Sequence, residues 1–127
     1  MEPKYFYRRK LPHYQPDYKA FFITFSTSKH WRIPESARHL VVEAIRYGDG
    51  RRFRLHAFVV MPDHVHIILT PLLHNNGTFS IPDIMHAIKG ASAHRINRFL
   101  GRQGKVWQDE SFDRALRREE AIEGKIN

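Results

Sequence analysis

Residues 52–71 have the sequence RFRLHAFVVMPDHVHIILTP, the longest apolar run in the chain. Residues 54–61 are rich in β-branched and aromatic side chains, which is typical of a buried strand. Strict alternation would place one set of side chains on one face, Leu55, Ala57, Val59 and Met61, and a second set on the other, His56, Phe58 and Val60. Pro62 and Asp63 then favour a tight reversal, because proline lacks a backbone donor and aspartate can bond its own backbone. We therefore predict that residues 64–70 form a second strand, antiparallel to the first.

Two histidines lie in this second predicted strand. His64 and His66 are two residues apart, and side chains with that spacing point to the same face of a sheet. Two adjacent imidazoles can chelate one divalent ion and share it with oxygens of phosphate, carboxylate or water. The alternative interpretation is that both are ordinary polar residues on the solvated face of a hairpin.

Composition limits the size of the fold and the class of partner. The chain has 127 residues, of which 42% are hydrophobic, enough for one domain with a modest core. Lysine and arginine number 21 against 13 aspartates and glutamates, giving a formal charge of +8. This excess favours a polyanionic partner, with nucleic acid ahead of an anionic membrane surface. A basic soluble protein without such a partner would have the same composition.

Several classes of site and location are disfavoured. The sequence contains no cysteine, which excludes disulfides and thiolate zinc sites. No apolar stretch approaches the length of a membrane span. The opening residues, Met1-Glu2-Pro3-Lys4, do not resemble a signal peptide. We therefore expect a cytoplasmic protein without a membrane partner.

Three segments precede the hairpin. Residues 1–19 form a basic aromatic arm, which Pro12 and Pro16 should keep irregular or extended. Its rings could stack bases, or they could simply attach the arm to the domain. Residues 20–27 predict a central strand, because they are apolar on both faces. Residues 34–47 predict a helix, which Gly48-Asp49-Gly50 ends.

The sequence after the hairpin predicts a loop at residues 74–77 and a helix at residues 81–100. The apolar stripe of this helix is expected to comprise Ile84, Ile88, Ala91 and Ile96, with Phe99 and Leu100 near its end. Its basic face is either simply solvated or contacts DNA through Lys89 and Arg95. A short edge strand at residues 105–108 and a third helix starting near Asp113 should complete the chain. The order of elements favours an α+β fold in a single domain, residues 1–127: a ferredoxin-like sandwich with helices on one face of an antiparallel sheet.

Several segments together resemble the REP-associated tyrosine transposases, which belong to the HUH superfamily. The resemblance rests on VMPDHVH at residues 60–66, the basic helix, Val106-Trp107-Gln108 and SFDRALR at residues 111–117. It implies a DNA transposase that binds single-stranded or hairpin DNA. For such a partner we expect DNA contacts from basic residues of the predicted helix and of the segment after it: Lys89, Arg95, Arg98, Arg114 and Arg117.

The resemblance also implies a chemistry. His64 and His66 would bind Mg²⁺ or Mn²⁺, with Asp63 orienting an imidazole, although Asp63 is equally explained as a turn residue. A tyrosine would attack a phosphodiester and form a 5′-phosphotyrosyl intermediate, so that no external energy source is needed to rejoin strands. Alignment from Trp107 and Arg117 places this tyrosine immediately after Asn127, and all five tyrosines of the chain precede the histidines. We therefore expect no catalytic nucleophile within the chain, as in a fragment or a decayed gene product.

Two other function classes are compatible with the same residues. A non-catalytic module that binds single-stranded nucleic acid would use the sheet and the basic helix without needing metal or tyrosine. A rolling-circle replication initiator or a relaxase would share the histidines but fits Trp107-Gln108 less well. Both a monomer and a homodimer are compatible with the sequence.

Overall fold

The computed structural model describes residues 19–116 and the backbone of residues 5–8. The strands in this part of the chain are β1 (Tyr5–Arg8), β2 (Phe21–Ser26), β3 (Phe53–Val60), β4 (His64–Pro71), β5 (Leu73–His74), β6 (Gly77–Thr78) and β7 (Phe112–Ala115). The helices are α1 (Arg38–Gly48) and α2 (Ile81–Leu100), and short 3-10 turns lie at Ser28–His30 and Glu35–Ala37. Neither helix is long and apolar enough to cross a membrane.

Five of the strands form one sheet in the order β1-β3-β4-β2-β7, and every neighbouring pair is antiparallel. Strand β2 therefore lies inside the sheet, as its two apolar faces predicted. The four strands β3-β4-β2-β7, with α1 and α2 as crossovers, have the order of a ferredoxin-like sandwich. The predicted α+β fold is confirmed.

The main core lies between the sheet and the two helices. Phe25 and Ile67 of the sheet pack with Val41 of α1 and Ile88 of α2, and all four are almost completely buried. At the end of α1, Gly48 lies against the ring of Phe53 so closely that an added Cβ would be 2.3 Å from a ring carbon. The helices therefore cover one face of the sheet, and the opposite face carries a smaller buried cluster of Ala20, Ala57 and Ile68.

The face assignment predicted for β3 was wrong in its first part. The register with β4 shifts between Leu55 and Ala57, so that His56 forms a β-bulge. The extra residue moves Leu55 to the same core as Phe58 and Val60, while Ala57 belongs to a separate small cluster with Ile68. The bulged His56 is fully buried, and its Nε2 lies 2.8 Å from the hydroxyl of Thr70.

The edge strand predicted at residues 105–108 and the predicted start of the third helix near Asp113 were also wrong, and the rest of that predicted helix lies outside the described residues. Residues 105–108 make only an isolated bridge, between Trp107 and Thr27. The edge strand is β7, whose residues pair with the outer edge of β2, so Asp113 lies in a strand instead of beginning a helix. A strand is favoured here because the edge of β2 offers unpaired backbone donors and acceptors. In addition, the predicted loop at residues 74–77 is the tip of the small β5–β6 hairpin.

Helix α2 has the predicted boundaries, but its buried stripe differs. Ile84, Ile88 and Ile96 are buried as expected, whereas Ala91 and Phe99 are exposed. Ser92 is fully buried instead. Its hydroxyl donates to the carbonyl of Ile88, 2.7 Å away, and accepts from the indole of Trp107, 2.9 Å away. The stripe tolerates a serine because every polar atom of that side chain is paired.

Candidate metal and DNA site

His64 and His66 lie side by side on the sheet face that the helices leave uncovered. In the β2–β4 register, His64 is opposite Ser26 and His66 is opposite Thr24. The neighbouring residues Val65 and Ile67 point to the core on the other face. The centroids of the two imidazole rings are 4.9 Å apart. This geometry brings the two predicted ligands together as the strand spacing required.

Each imidazole is held by a second polar side chain. The carboxylate of Asp63 accepts a hydrogen bond from Nδ1 of His64, and the two atoms are 2.8 Å apart. Nδ1 of His66 lies 2.8 Å from the hydroxyl of Thr24. Partners at Nδ1 fix the ring orientation and leave Nε2 of both rings as the nitrogen for a metal ion. Asp63 therefore lies where the sequence placed it, whereas Thr24 was missed.

The electrostatic environment favours the neutral form of His66 and the ionised form of Asp63. Burial lowers the pKa of His66 below its usual value, and the charge of His64 lowers it further. The hydrogen bond from the ring of His64 is the largest cause of the lowered pKa of Asp63. A neutral imidazole with a free lone pair is the form that binds metal.

The turn that carries Asp63 is fixed from both sides. Thr27 donates from its backbone nitrogen to the carbonyl of Asp63, 2.9 Å away, and Ile33 donates to the carbonyl of Pro62, 2.8 Å away. Met61 donates to the carbonyl of His64 across the turn, at 2.8 Å. Because three backbone hydrogen bonds hold this reversal, the Asp63 carboxylate is presented to His64 in a defined position.

The pair fits a divalent ion only in part. Two imidazole nitrogens on one strand face suit Mn²⁺ and other transition metals, and Mg²⁺ less well. No group of three or more histidine, aspartate or glutamate side chains that could hold a metal occurs among the residues that the structure describes. An ion at His64 and His66 would therefore take its remaining ligands from water, from a bound phosphate or from residues outside that range.

Lys89, a predicted DNA contact, makes intramolecular contacts in the structure. Its ammonium group donates to the carbonyls of Gln108, Asp109 and Glu110 at 2.9, 3.2 and 3.3 Å. Partial burial lowers its pKa from the usual lysine value. These hydrogen bonds connect helix α2 to the segment before β7. They give Lys89 a structural role, and they provide no support for a DNA contact.

The other predicted DNA contacts lie in different layers. Arg95 and Arg98 are on α2, on the helix side of the sheet, and Arg95 reaches Glu43 of α1 at 3.5 Å. Arg114 is on β7, opposite Phe22 in the register, and so shares the sheet face of the histidines. Arg117 lies outside the described residues. Among the members of this set that the structure describes, Arg114 alone shares the face of His64 and His66.

Trp107 and Gln108 connect the end of β2 to α2. The indole ring of Trp107 contacts Phe25 edge-on, with the ring centroids 4.8 Å apart. The backbone nitrogen of Gln108 donates to the carbonyl of Ser26 at 2.9 Å, and its side-chain amide donates to the carbonyl of Thr27 at 3.1 Å. These residues support the strand that carries Thr24 and do not themselves reach the histidines.

A groove of about 480 Å³ lies between α2 and residues 104–113. Neither His64 nor His66 lines it. Its polar lining has charges of both signs, and Lys105 and Asp109 form an ion pair within it at 2.9 Å. Such a mixed lining is less suited to phosphate than a uniformly basic one, so the histidine pair is the better candidate for a DNA site.

Comparison with known proteins identifies a family and a fold. Residues 34–116, about two thirds of the chain, match the family model described as transposase IS200 like. No curated protein matches the chain. A solved structure of a REP-associated tyrosine transposase bound to a REP hairpin is 21% identical, with a TM-score of 0.57, and the alignment covers 92% of this chain and 62% of that one. A transposase candidate from Deinococcus radiodurans R1 is 24% identical, with a TM-score of 0.62 and 86% coverage of both chains.

Proposed function

The chain belongs to the IS200-like transposase family, and we propose that it binds single-stranded DNA beside a hairpin and takes part in cleaving and rejoining that strand. The observation that carries the proposal is the His64–His66 pair, whose Nδ1 atoms are engaged and whose Nε2 atoms are left for a metal ion. The hairpin is suggested by the solved REP-associated transposase, which is bound to one. The formal charge of +8 supports a DNA partner.

The described residues would hold the phosphate-activating half of the site. A Mg²⁺ or Mn²⁺ ion at Nε2 of His64 and His66 would supply Lewis acidity at a phosphate oxygen. Asp63 and Thr24 keep the two rings oriented, and burial keeps His66 neutral. Arg114 on the same face would add a positive charge near the DNA backbone.

The proposed reaction is the one that the family resemblance implies. A tyrosine hydroxyl oxygen bonds to phosphorus while the bond between phosphorus and the 3′ oxygen breaks. The products are a 5′-phosphotyrosyl link and a DNA strand that ends in a 3′-hydroxyl. The phenol releases its proton to solvent, and the departing 3′ oxygen takes up a proton from solvent. Attack by another 3′-hydroxyl on the phosphotyrosyl link reverses the step and rejoins DNA.

A second candidate function is DNA binding without cleavage. It is favoured by the lack of a three-ligand group among residues 19–116. A module of this kind would use Arg114 and the sheet face to hold a single strand, and would bind DNA equally well with and without a divalent ion.

Binding experiments separate these functions. We expect a hairpin with a single-stranded 5′ flank to bind more tightly than a blunt duplex of equal length, in anisotropy titrations at matched salt. Mn²⁺ should tighten the hairpin complex of the wild-type chain, whereas His64→Ala and His66→Ala should remove the Mn²⁺ effect. A Mn²⁺ response that survives both substitutions would exclude the metal site. Preference for the blunt duplex would overturn the single-strand proposal.

A further inference from the structure

We propose that Phe112 is a base-stacking platform, which binds the nucleobase next to the phosphate held at the histidine pair. This inference rests on the proposed function and adds to it a contact for the base. Neither the sequence motifs nor the family match assigns a role to this ring.

Phe112 is in line with the histidines across the sheet. Thr24 of β2 is opposite His66 of β4 on one side and opposite Phe112 of β7 on the other. Residues directly opposite one another in antiparallel strands share a face, so the three side chains form a row. Two strand spacings separate His66 from Phe112, about 10 Å. A base attached to a phosphate at His66 can cover that distance.

Phe112 is one of four large hydrophobic residues that are exposed in the described part of the chain. It is 61% exposed, and it belongs to neither of the buried hydrophobic clusters. The strand that carries it is the last in the sheet order, and no described strand pairs with its outer edge. An exposed aromatic ring beside a basic site is the arrangement with which single-strand binding proteins stack bases irrespective of sequence.

The surroundings favour a nucleotide as the occupant. Arg114 is two residues from Phe112 on the same strand and therefore on the same face. Phe22, opposite Arg114 in the register, stacks on the ring of His66 with centroids 5.5 Å apart and planes 17° apart. A cation, two aromatic rings and two imidazoles thus share one surface, which matches the alternating phosphates and bases of a single strand.

The test combines a protein variant with a missing base. Wild type, Phe112→Ala, Phe112→Leu and Phe112→Trp are titrated with a hairpin whose single-stranded flank contains an abasic site at each position in turn. We expect Phe112→Ala and Phe112→Leu to bind the complete oligonucleotide about tenfold more weakly, and Phe112→Trp to bind it as tightly as wild type. At one flank position the abasic site should weaken DNA binding by wild type about tenfold and leave the affinity of Phe112→Ala unchanged.

Phe99→Ala is the matched control, because Phe99 is 56% exposed but lies on α2, in the helix layer. It should bind the complete oligonucleotide like wild type. The stacking platform is excluded if Phe112→Ala binds the complete oligonucleotide as tightly as wild type. It is also excluded if Phe112→Ala binds more weakly than wild type by the same factor at every abasic position. In either case the proposed function stands. If wild type binds no hairpin at all, the proposed function fails and this inference fails with it.

Discussion

The hydroxyl of Thr24 and Nδ1 of His66 are 2.8 Å apart on adjacent strands. The pairing joins a residue of β2 to one of β4 that is 42 positions away in the chain. It fixes the plane of the imidazole and selects Nε2 as the free nitrogen. A strand register, and not a local motif, therefore decides how the second histidine of the pair can bind metal.

We predict that metal binding requires both histidines. His64→Ala or His66→Ala should abolish Mn²⁺ binding measured by calorimetry, because a single imidazole on the sheet face cannot chelate. His86→Ala, at an exposed position of α2, serves as the control and should bind Mn²⁺ like wild type. Equal uptake by wild type and the double alanine variant would contradict the assignment.

Removing the partner of His66 should weaken the metal site without destroying it. Thr24→Val keeps the shape of the side chain but removes the hydroxyl that meets Nδ1. We expect the Kd for Mn²⁺ to rise about tenfold or more, as is usual when an outer hydrogen bond to a ligand histidine is lost. Calorimetry on Thr24→Val and Thr24→Ser measures this, and Thr24→Ser should stay close to wild type. Identical Kd values for the valine variant and wild type would show that the hydroxyl does not orient the ring.

Lys89 and Arg114 should respond differently in DNA binding. Arg114→Ala should reduce by about 1 the slope of log affinity against log salt, because one phosphate contact is lost. Lys89→Met should leave that slope unchanged but lower the free energy of unfolding by about 1–3 kcal/mol, because three carbonyls lose their donor. Anisotropy titrations at several salt concentrations and urea unfolding measure the two effects. A reduced salt slope for Lys89→Met would restore the DNA role that the sequence suggested.

Two glycine substitutions should have opposite effects on stability. Gly48→Ala places a Cβ 2.3 Å from the ring of Phe53 and should cost about 1–3 kcal/mol through overpacking. Gly90→Ala, in the interior of α2, meets no atom within 4 Å and should stabilise by about 0.5–1 kcal/mol. Thermal unfolding of both variants provides the comparison. An unchanged melting temperature for Gly48→Ala would mean that the Phe53 ring can move aside.

The hydrogen bond of Trp107 should also be measurable. Trp107→Phe keeps the aromatic contact with Phe25 but removes the donor to Ser92 and should cost about 1–3 kcal/mol. Ser92→Ala removes the acceptor. A double-mutant cycle in urea should give a coupling energy of about 1 kcal/mol between the two residues. Strictly additive effects would show that the bond does not contribute.

Much of the fold could be predicted from local patterns. The hairpin followed from its apolar strands and the turn at Pro62, and the bounds of α2 followed from helical periodicity. The face to which each side chain of β3 points could not be predicted, because the bulge at His56 depends on pairing with β4. The strand β7 was missed for the same reason, since residues 112–115 are ordered by the free edge of β2 and not by their own pattern.

The site could be predicted only to the level of its ligands. The spacing of His64 and His66 places both on one face whatever the partners are. The role of Thr24 depends on register, although a polar residue between the apolar Ile23 and Phe25 was a usable signal. Lys89 could not be distinguished from a solvated lysine, because the carbonyls that it binds are about twenty positions away.

Alternate residues of β2 point to opposite faces of the sheet and have different roles. Ile23 and Phe25 are 0% and 1% exposed in the helix-covered core, whereas Thr24 between them holds a histidine on the other face. A substitution on one side of this strand therefore leaves the other side largely untouched. Substitutions at Phe112 or Arg114, on the histidine face, are therefore expected to change DNA binding while the hydrophobic layer under the helices keeps its packing.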